Sequence, residues 1–109
     1  MRTKGPTTYT KHKLELDAKL ADTLKSLGLI SDFAHLSKMM GKNSTYYGCM
    51  RARGYGLHLG SLAFLVSMLS QKMDATSCVR ERAKLRAGIS AINDTIQAKC
   101  RIRELELHG

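Results

Sequence analysis

Apolar residues recur at helical intervals along most of this 109-residue chain. The first stripe consists of four leucines at spacings of four, four and three: Leu16, Leu20, Leu24 and Leu27. Charged residues occupy many of the positions between them, so the stripe predicts an amphipathic helix over residues 14–27. Gly28 follows directly and is placed to end that helix.

Two short helices are predicted next, one on each side of a glycine turn. Ser31 is the expected N-cap of the first, and Asp32 is favourable in its first turn. This second helix of the chain should end at about Met40. Its buried side chains are predicted to be Phe33, Leu36 and Met40.

Gly41 is predicted to make the turn into the third helix, whose inner side chains should be Tyr47 and Met50. Asn43 and Ser44 stand at the start of this helix, where either residue can cap it. The helix must be short, because two glycines around an aromatic residue follow it and predict a loop.

Two longer apolar stripes fill the second half of the chain. The fourth helix has a wide apolar face and should be the best buried, with apolar positions at Leu59, Leu62, Leu65, Val66 and Leu69. A fifth helix is predicted over residues 76–107. Its stripe resembles a short coiled-coil seam: Leu85, Ile89, Ile92 and Ile96. The predicted fold class is all-α, and the length allows one domain with an added helix.

Basic residues are distributed unevenly. The chain carries 18 Lys and Arg against 9 Asp and Glu, a formal charge of +9, which favours a polyanionic partner. Residues 1–13 contain four basic residues and no acid, and so do residues 39–73. Residues 1–12 lack periodicity and are predicted to be a flexible basic arm. The last helix mixes both signs, which is typical of a solvated face.

Several classes of protein are disfavoured. The longest apolar stretch, residues 57–69, is interrupted by polar residues and is shorter than the roughly 20 residues that span a bilayer. Three widely spaced cysteines indicate reduced thiols in a cytoplasmic protein. Paired carboxylates, a phosphate loop and zinc-ligand spacing do not occur. We therefore expect no enzyme activity, no metal, no cofactor and no membrane partner.

Residues 33–53 have the pattern of a helix-turn-helix. Such a pair needs apolar inner residues, a small residue where the backbones approach and a glycine at the turn; Ser37 and Gly41 supply the last two. An amphipathic helix precedes the pair, and an Arg-Gly loop and a Leu-rich helix follow it. Together, residues 13–73 resemble the lambda-repressor and Cro-like family of helix-turn-helix DNA-binding proteins.

The resemblance implies a Cro-like four-helix domain, to which residues 76–107 add a C-terminal helix. Four positions depart from the family pattern. Ser37 replaces the commoner Ala, Leu57-His58 stands where Pro-Ser/Thr is frequent, and Gly48 lies within the third helix. That glycine lowers helicity by about 1 kcal/mol relative to Ala.

The resemblance also implies roles, because the N-terminal part of the third helix would enter the major groove. The residues placed to read bases are Asn43, Ser44, Thr45, Tyr46 and Cys49. The residues placed for phosphate contacts are Lys38, Lys42, Arg51, Arg53 and Tyr55. The start of the fourth helix, near Gly60 and Ser61, could offer backbone amides to a phosphate. Arg2 and Lys4 in the arm could follow the backbone or enter a minor groove.

Each of these roles has an alternative that needs no DNA. Asn43 and Ser44 can serve only as caps, and Tyr46 can pack against the first helix. Arg51 and Arg53 can be solvated charges, and the arm can be a tail without contacts.

Half-sites one helical turn apart are read by dimers, and the family core lacks a counterpart of the fifth helix. We therefore expect this helix to dimerise through Leu85, Ile89, Ile92 and Ile96. Only two heptads are apolar, because the same frame next places Lys99 and Arg103 in the seam. Packing of the fifth helix back onto its own domain is the alternative.

These predictions describe a homodimeric regulator of transcription, most simply a repressor of phage or mobile-element type that binds an inverted repeat in double-stranded DNA. One alternative is a protein-interaction module on the same scaffold, such as an antirepressor or an inhibitor of a host complex. Another is a non-specific or architectural nucleic-acid binder, with steep salt dependence but no sequence preference. The acid-free window 39–73 favours DNA, because a protein-only binder has little reason to maintain it.

Overall fold

A computed structural model describes residues 8–108 and contains, within that range, five α-helices and no strand. They are α1 (Thr8–Ser26), α2 (Phe33–Met39), α3 (Tyr46–Ala52), α4 (Leu59–Ala75) and α5 (Val79–His108). The predicted all-α class is confirmed. Helix α5 packs on both α1 and α4, and the short helices α2 and α3 form a pair. No helix in the described range is long and apolar enough to cross a membrane.

Helix α1 starts earlier than its leucine stripe. It begins at Thr8, so residues 8–12 of the predicted flexible arm are helical instead. Tertiary packing accounts for the extension. Tyr9 and Thr10 are partly buried, and the Thr10 methyl lies 3.5 Å from the point where a Cβ on Gly54 would stand. Arg2 and Lys4 lie outside the described residues.

Helix α2 is capped by Asp32 and not by Ser31. Asp32 has an extended backbone, and its carboxylate accepts the His35 amide N–H at 2.8 Å. The His35 ring accepts the Ser31 amide N–H at 3.0 Å, which makes a reciprocal arrangement similar to a capping box. A carboxylate also interacts favourably with the positive end of the helix dipole, which favours Asp over the neighbouring Ser.

The core lies between α1, α4 and α5 and continues beneath α2 and α3. Its least exposed side chains include Leu24, Leu36, Met40, Leu62, Leu65, Leu69 and Ile92. Helix α4 supplies three of these, as expected for the helix with the widest apolar face. Leu59, at the first position of α4, is instead 40% exposed.

Two of the four residues of the predicted dimer seam are buried inside the chain. Leu85 is 3% exposed and Ile92 is 0% exposed. Both belong to the core that α1 and α4 also build, and Ile89 and Ile96 pack against its side. Leu85 and Ile92 thus pack within the chain, as in the alternative to a dimer, whereas Ile89 and Ile96 are only partly covered; an intermolecular interface through these four residues stays a prediction.

The buried face of α5 follows a regular heptad that differs from the isoleucine stripe. Its residues lie at alternating spacings of three and four: Leu85, Gly88, Ile92, Thr95, Lys99 and Ile102. Two of them are small, so α1 and the segment after it can approach closely. A Cβ on Gly88 would overlap the Leu29 side chain and would stand 3.4 Å from Leu24 Cδ2. Close packing at Gly88 explains why a residue without a side chain stands on this buried face.

Candidate nucleic-acid interface

A buried serine joins α2 to α3. Ser37 is fully buried, and its hydroxyl donates to the Phe33 carbonyl at 2.9 Å and accepts the Tyr47 amide N–H at 3.0 Å. Tyr47 is the second residue of α3, where an amide has no acceptor within its own helix. Thr45, the N-cap residue of α3, provides no side-chain cap. Ser37 is thus the small contact residue predicted from the sequence, and it also caps α3 from the neighbouring helix.

An aromatic stack lies beside this serine. Tyr47 is 2% exposed, and the Phe33 ring stacks on it with centroids 4.4 Å apart and planes 12° apart. Phe33 itself is 48% exposed, which corrects the prediction that it is buried: it covers Tyr47 from the solvent side. The predicted inner positions Leu36, Met40 and Met50 are buried.

Gly41 closes the turn between the two helices, as predicted. Its φ of +75° lies in the left-handed region that side chains disfavour. The Gly41 amide N–H donates to the Lys38 carbonyl at 2.9 Å, and the Lys42 amide N–H donates to the Ser37 carbonyl at 3.0 Å. This is the hydrogen-bond pattern of a Schellman motif. The motif leaves the side chains of Lys38 and Lys42 exposed.

Helix α3 begins later than Asn43 and Ser44 suggested, at Tyr46. The Asn43 side-chain oxygen accepts the Thr45 amide N–H at 2.9 Å and the Thr45 hydroxyl at 2.8 Å. Such local bonds give the backbone an alternative to helix. The Asn43 side-chain NH₂ group has no partner within residues 8–108, so it is free to donate to a ligand.

Tyr46 contacts the start of α4. Its hydroxyl lies 3.0 Å from the Ser61 hydroxyl and accepts the His58 amide N–H at 3.2 Å. Its ring lies beneath the Lys42 ammonium, 5.6 Å from the ring centroid. Neither sequence interpretation of Tyr46, base contact or packing against the first helix, describes these contacts. Tyr46 instead links the turn, α3 and α4.

The outward face of α3 is made of small side chains. Thr45, Gly48, Cys49 and Ala52 follow one another at helical spacing and are all exposed. Nothing lies within 4 Å of the point where a Cβ on Gly48 would stand. Cys49 lies on this face, as predicted from the sequence; Ala52, which the same helical spacing identifies, was not among the predicted residues. A partner can therefore approach the α3 backbone closely.

Basic side chains surround this face without acidic partners. The two ion pairs within the described residues join Lys13 to Glu106 at 3.0 Å and Lys99 to Asp17 at 2.7 Å. Neither involves the four exposed basic residues at the ends of α2 and α3: Lys38, Lys42, Arg51 and Arg53. We call these four residues, together with Asn43–Tyr46, Gly48, Cys49, Ala52 and Tyr55, the α3 surface.

The two arginines occupy different settings. Arg51 Nη1 lies 3.5 Å from the Tyr47 hydroxyl, and Arg53 is the C-cap residue of α3. Tyr55 follows in the loop and is 62% exposed. Helix α1 begins beside this loop, with Thr10 against Gly54. The first turn of α1 therefore lies at the edge of the α3 surface.

A buried ion pair anchors the loop between α3 and α4. Asp17 of α1 and Lys99 of α5 are 3% and 5% exposed. Asp17 Oδ2 accepts the Leu57 amide N–H at 2.7 Å, and Lys99 Nζ donates to the Leu57 carbonyl at 2.8 Å. Both backbone polar groups of Leu57 are thus bound by the two members of one ion pair. We call these three residues the loop anchor.

Gly56 allows the loop to approach this pair. Its φ is +73°, and a Cβ on it would stand 2.9 Å from Asp17 Oδ2 and 3.3 Å from Lys99 Nζ. Burial raises the pKa of Asp17 and lowers the pKa of Lys99, and in each case the partner's charge opposes the shift. The electrostatic cost of burial is thus offset in part by the short contact between the two charges.

Sequence reasoning missed the loop anchor, although each half left a signal. Asp17 shares the buried face of α1 with Leu20, Ala21 and Leu24, and Lys99 lies on the buried heptad of α5. A charged residue on an apolar face suggests a buried partner. The pairing itself depends on how α1 and α5 pack, which spacing within one helix does not specify.

Comparison with protein-family models, curated proteins and solved structures finds no match for this chain. What the α3 surface does must therefore be argued from its own residues.

Proposed function

We propose that this protein is a sequence-specific regulator of transcription that binds double-stranded DNA, most simply as a repressor. The proposed fold is a Cro-like helix-turn-helix domain with an additional C-terminal helix. The observation that carries the proposal is the α3 surface, a helix face of small side chains flanked by uncompensated basic residues. A narrow face suits the major groove, which is about 12 Å wide, and the flanking charges suit the phosphates on either side.

Base reading is assigned to the segment that leads into α3 and to the exposed face of the helix itself. The unpartnered NH₂ group of Asn43 can donate to a base edge, the Ser44 hydroxyl can donate or accept, and the Thr45 hydroxyl, which donates to Asn43, can accept from a base. Cys49 lies one turn further along the exposed face. Tyr46 acts in this proposal as a positioning residue, because its hydroxyl is engaged by α4 and its ring supports Lys42.

Phosphate contacts are assigned to the residues that flank the small side chains of the α3 surface. They involve the four exposed basic residues, the Tyr55 side chain and the first amides of α4. His58, the N-cap residue of α4, provides no side-chain cap, so the first amides of α4, near the exposed Gly60, have no side-chain acceptor from the cap residue and are assigned to a phosphate in this proposal. These contacts supply affinity and register but little sequence information.

An inverted repeat requires two copies of the domain, one on each half-site. Of the four α5 residues predicted to form a dimer, Leu85 and Ile92 are buried within the chain, and Ile89 and Ile96 are partly buried. We therefore propose that the homodimer forms through another surface when two copies occupy adjacent half-sites. A cytoplasmic repressor of phage or mobile-element type fits the small size of the chain and the family analogy, and that part of the proposal is analogy alone.

Selection from a random duplex pool tests this function. The wild-type chain should enrich a common sequence with two-fold symmetry. Arg53→Gln should then weaken binding to all duplexes alike and reduce the slope of log affinity against log salt by about 0.9. Lys19→Gln, which removes an exposed charge from the groove between α1 and α5, is the control and should leave that slope nearly unchanged.

The outcomes separate the alternatives. Absence of binding to every duplex at low salt would overturn the proposal and favour a protein-interaction module. A steep salt dependence with no enriched sequence would instead indicate a non-specific or architectural binder.

A further inference from the structure

We infer that the buried Asp17–Lys99 pair is a positioning device for DNA binding. It holds the loop after α3 in the conformation that presents Arg53, Tyr55 and the start of α4 to the phosphate backbone. This inference rests on the proposed function and adds to it a positioning residue, Lys99, that lies outside the first four helices.

The loop between α3 and α4 is held at each end by hydrogen bonds. At the α3 end, the Gly54 amide N–H donates to the Arg51 carbonyl and the Tyr55 amide N–H donates to the Met50 carbonyl, each at 3.0 Å. At the α4 end, the His58 amide N–H donates to the Tyr46 hydroxyl. Between these ends the Leu57 side chain packs in the core, and the Leu57 backbone is bound by Asp17 of α1 and Lys99 of α5.

The group that holds the loop between α3 and α4 is a charged pair and not a set of apolar side chains. A buried ion pair is often no more stabilising than apolar residues of similar volume, because both charges lose their hydration. Apolar side chains would fill the same space, but they would leave both polar groups of Leu57 without partners. Leu57 is 4% exposed, so water could satisfy these groups only if the loop moved outward. The pair therefore specifies where the loop lies.

The backbone of the loop fits closely against the pair. A methyl group at Gly56 would stand closer to Asp17 Oδ2 than van der Waals contact permits. Gly56 and Leu57 thus lie in direct contact with the Asp17–Lys99 pair. The loop position is consequently linked to the distance between α1 and α5, so that the C-terminal helix contributes to DNA binding without touching DNA.

The test removes the anchor while keeping the core filled. Asp17→Leu combined with Lys99→Met replaces the pair by apolar residues. This double variant should keep the helical circular dichroism of the wild type but bind the selected duplex at least about tenfold more weakly. Arg53→Gln, which weakens the wild type, should add less than about a twofold loss in this background, because the loop that carries Arg53 is already misplaced.

The matched control removes the other ion pair between the same two helices. Lys13→Met combined with Glu106→Gln eliminates a pair whose side chains are 24% and 29% exposed. Exposed pairs contribute little, so affinity should stay within about twofold of the wild type, and Arg53→Gln should keep its full effect there.

A second variant covers the case in which the double replacement does not fold. Asp17→Asn keeps the acceptor for the Leu57 amide but removes the charge that pairs with Lys99. We expect faster hydrogen exchange at loop amides 54–58, unchanged exchange in the middle of α4, and weaker DNA binding.

Two results would count against the inference in different ways. Wild-type affinity in a folded anchor variant, with the full effect of Arg53→Gln retained, would overturn the positioning role and leave the proposed function intact. A wild-type chain that binds no duplex would overturn the proposed function and the positioning role with it.

Discussion

Gly56 is the residue at which one added methyl group should disturb the loop anchor most. In Gly56→Ala the new Cβ would stand 2.9 Å from Asp17 Oδ2 and 3.3 Å from Lys99 Nζ. Neither atom can move freely, because Asp17 binds the Leu57 amide and Lys99 binds the Leu57 carbonyl. The substitution therefore combines backbone strain with a steric conflict at a buried ion pair.

The two costs can be separated by a control. A φ near +73° costs a residue with a Cβ about 1–2 kcal/mol, and overpacking a buried site costs about 1–3 kcal/mol more. Gly28 has nearly the same φ, +76°, but no neighbouring atom within 4 Å of its Cβ position. Gly28→Ala should therefore lose only the backbone part.

Urea denaturation followed by circular dichroism measures both losses. We expect the free energy of unfolding to fall by about 2–5 kcal/mol in Gly56→Ala and by about 1–2 kcal/mol in Gly28→Ala. The corresponding difference in Tm is about 4–8 °C per kcal/mol for a chain of this size. Equal losses in the two variants would show that the loop does not press on the ion pair, and would refute the reasoning.

Three further substitutions, the first with a control at an exposed position, test the structure of the helices. Ile92→Ala should lower the free energy of unfolding by about 2–5 kcal/mol and leave the molar mass in light scattering unchanged. The control Leu107→Ala, at a 68% exposed position, should change the free energy of unfolding by less than about 0.5 kcal/mol. A halved mass for the Ile92 variant would contradict intramolecular packing. Ser37→Ala should cost about 1–3 kcal/mol, because the Tyr47 amide loses its acceptor, and an unchanged urea midpoint would argue against this cap. Gly48→Ala should stabilise the chain by up to about 1 kcal/mol, since its Cβ position is open, and a lower midpoint would speak against a solvent-facing helical site.

Local periodicity predicted the five helices, though not every boundary, and all but one of the inner side chains assigned to α2 and α3; Phe33 is the exception. Leu36, Met40, Tyr47 and Met50 are buried as their spacing indicated, and Gly41 has the left-handed backbone that the turn requires. These features depend on residues three or four positions apart, so a single sequence contains the relevant information.

Features that depend on contacts between distant segments were not predictable in this way. Tyr46 forms hydrogen bonds with residues 12 and 15 positions away in the sequence. Asp17 pairs with Lys99, which lies near the other end of the sequence. The packing of the α5 stripe within the chain was not predictable for a related reason. Periodicity identifies an apolar stripe, but it does not say whether the partner helix belongs to the same chain, and the small residues Gly88 and Thr95 carry no apolar signal.

The most direct test of DNA binding is the anisotropy of a labelled duplex, selected by the wild-type chain, titrated with that chain over a range of salt concentrations. We predict saturable binding that is weaker for a scrambled duplex. Log affinity should fall linearly with log salt, with a slope of about −4 for each bound copy if the four basic residues of the α3 surface each contact a phosphate. A duplex whose anisotropy does not change at about 50 mM salt, where phosphate contacts are strong, would contradict DNA binding.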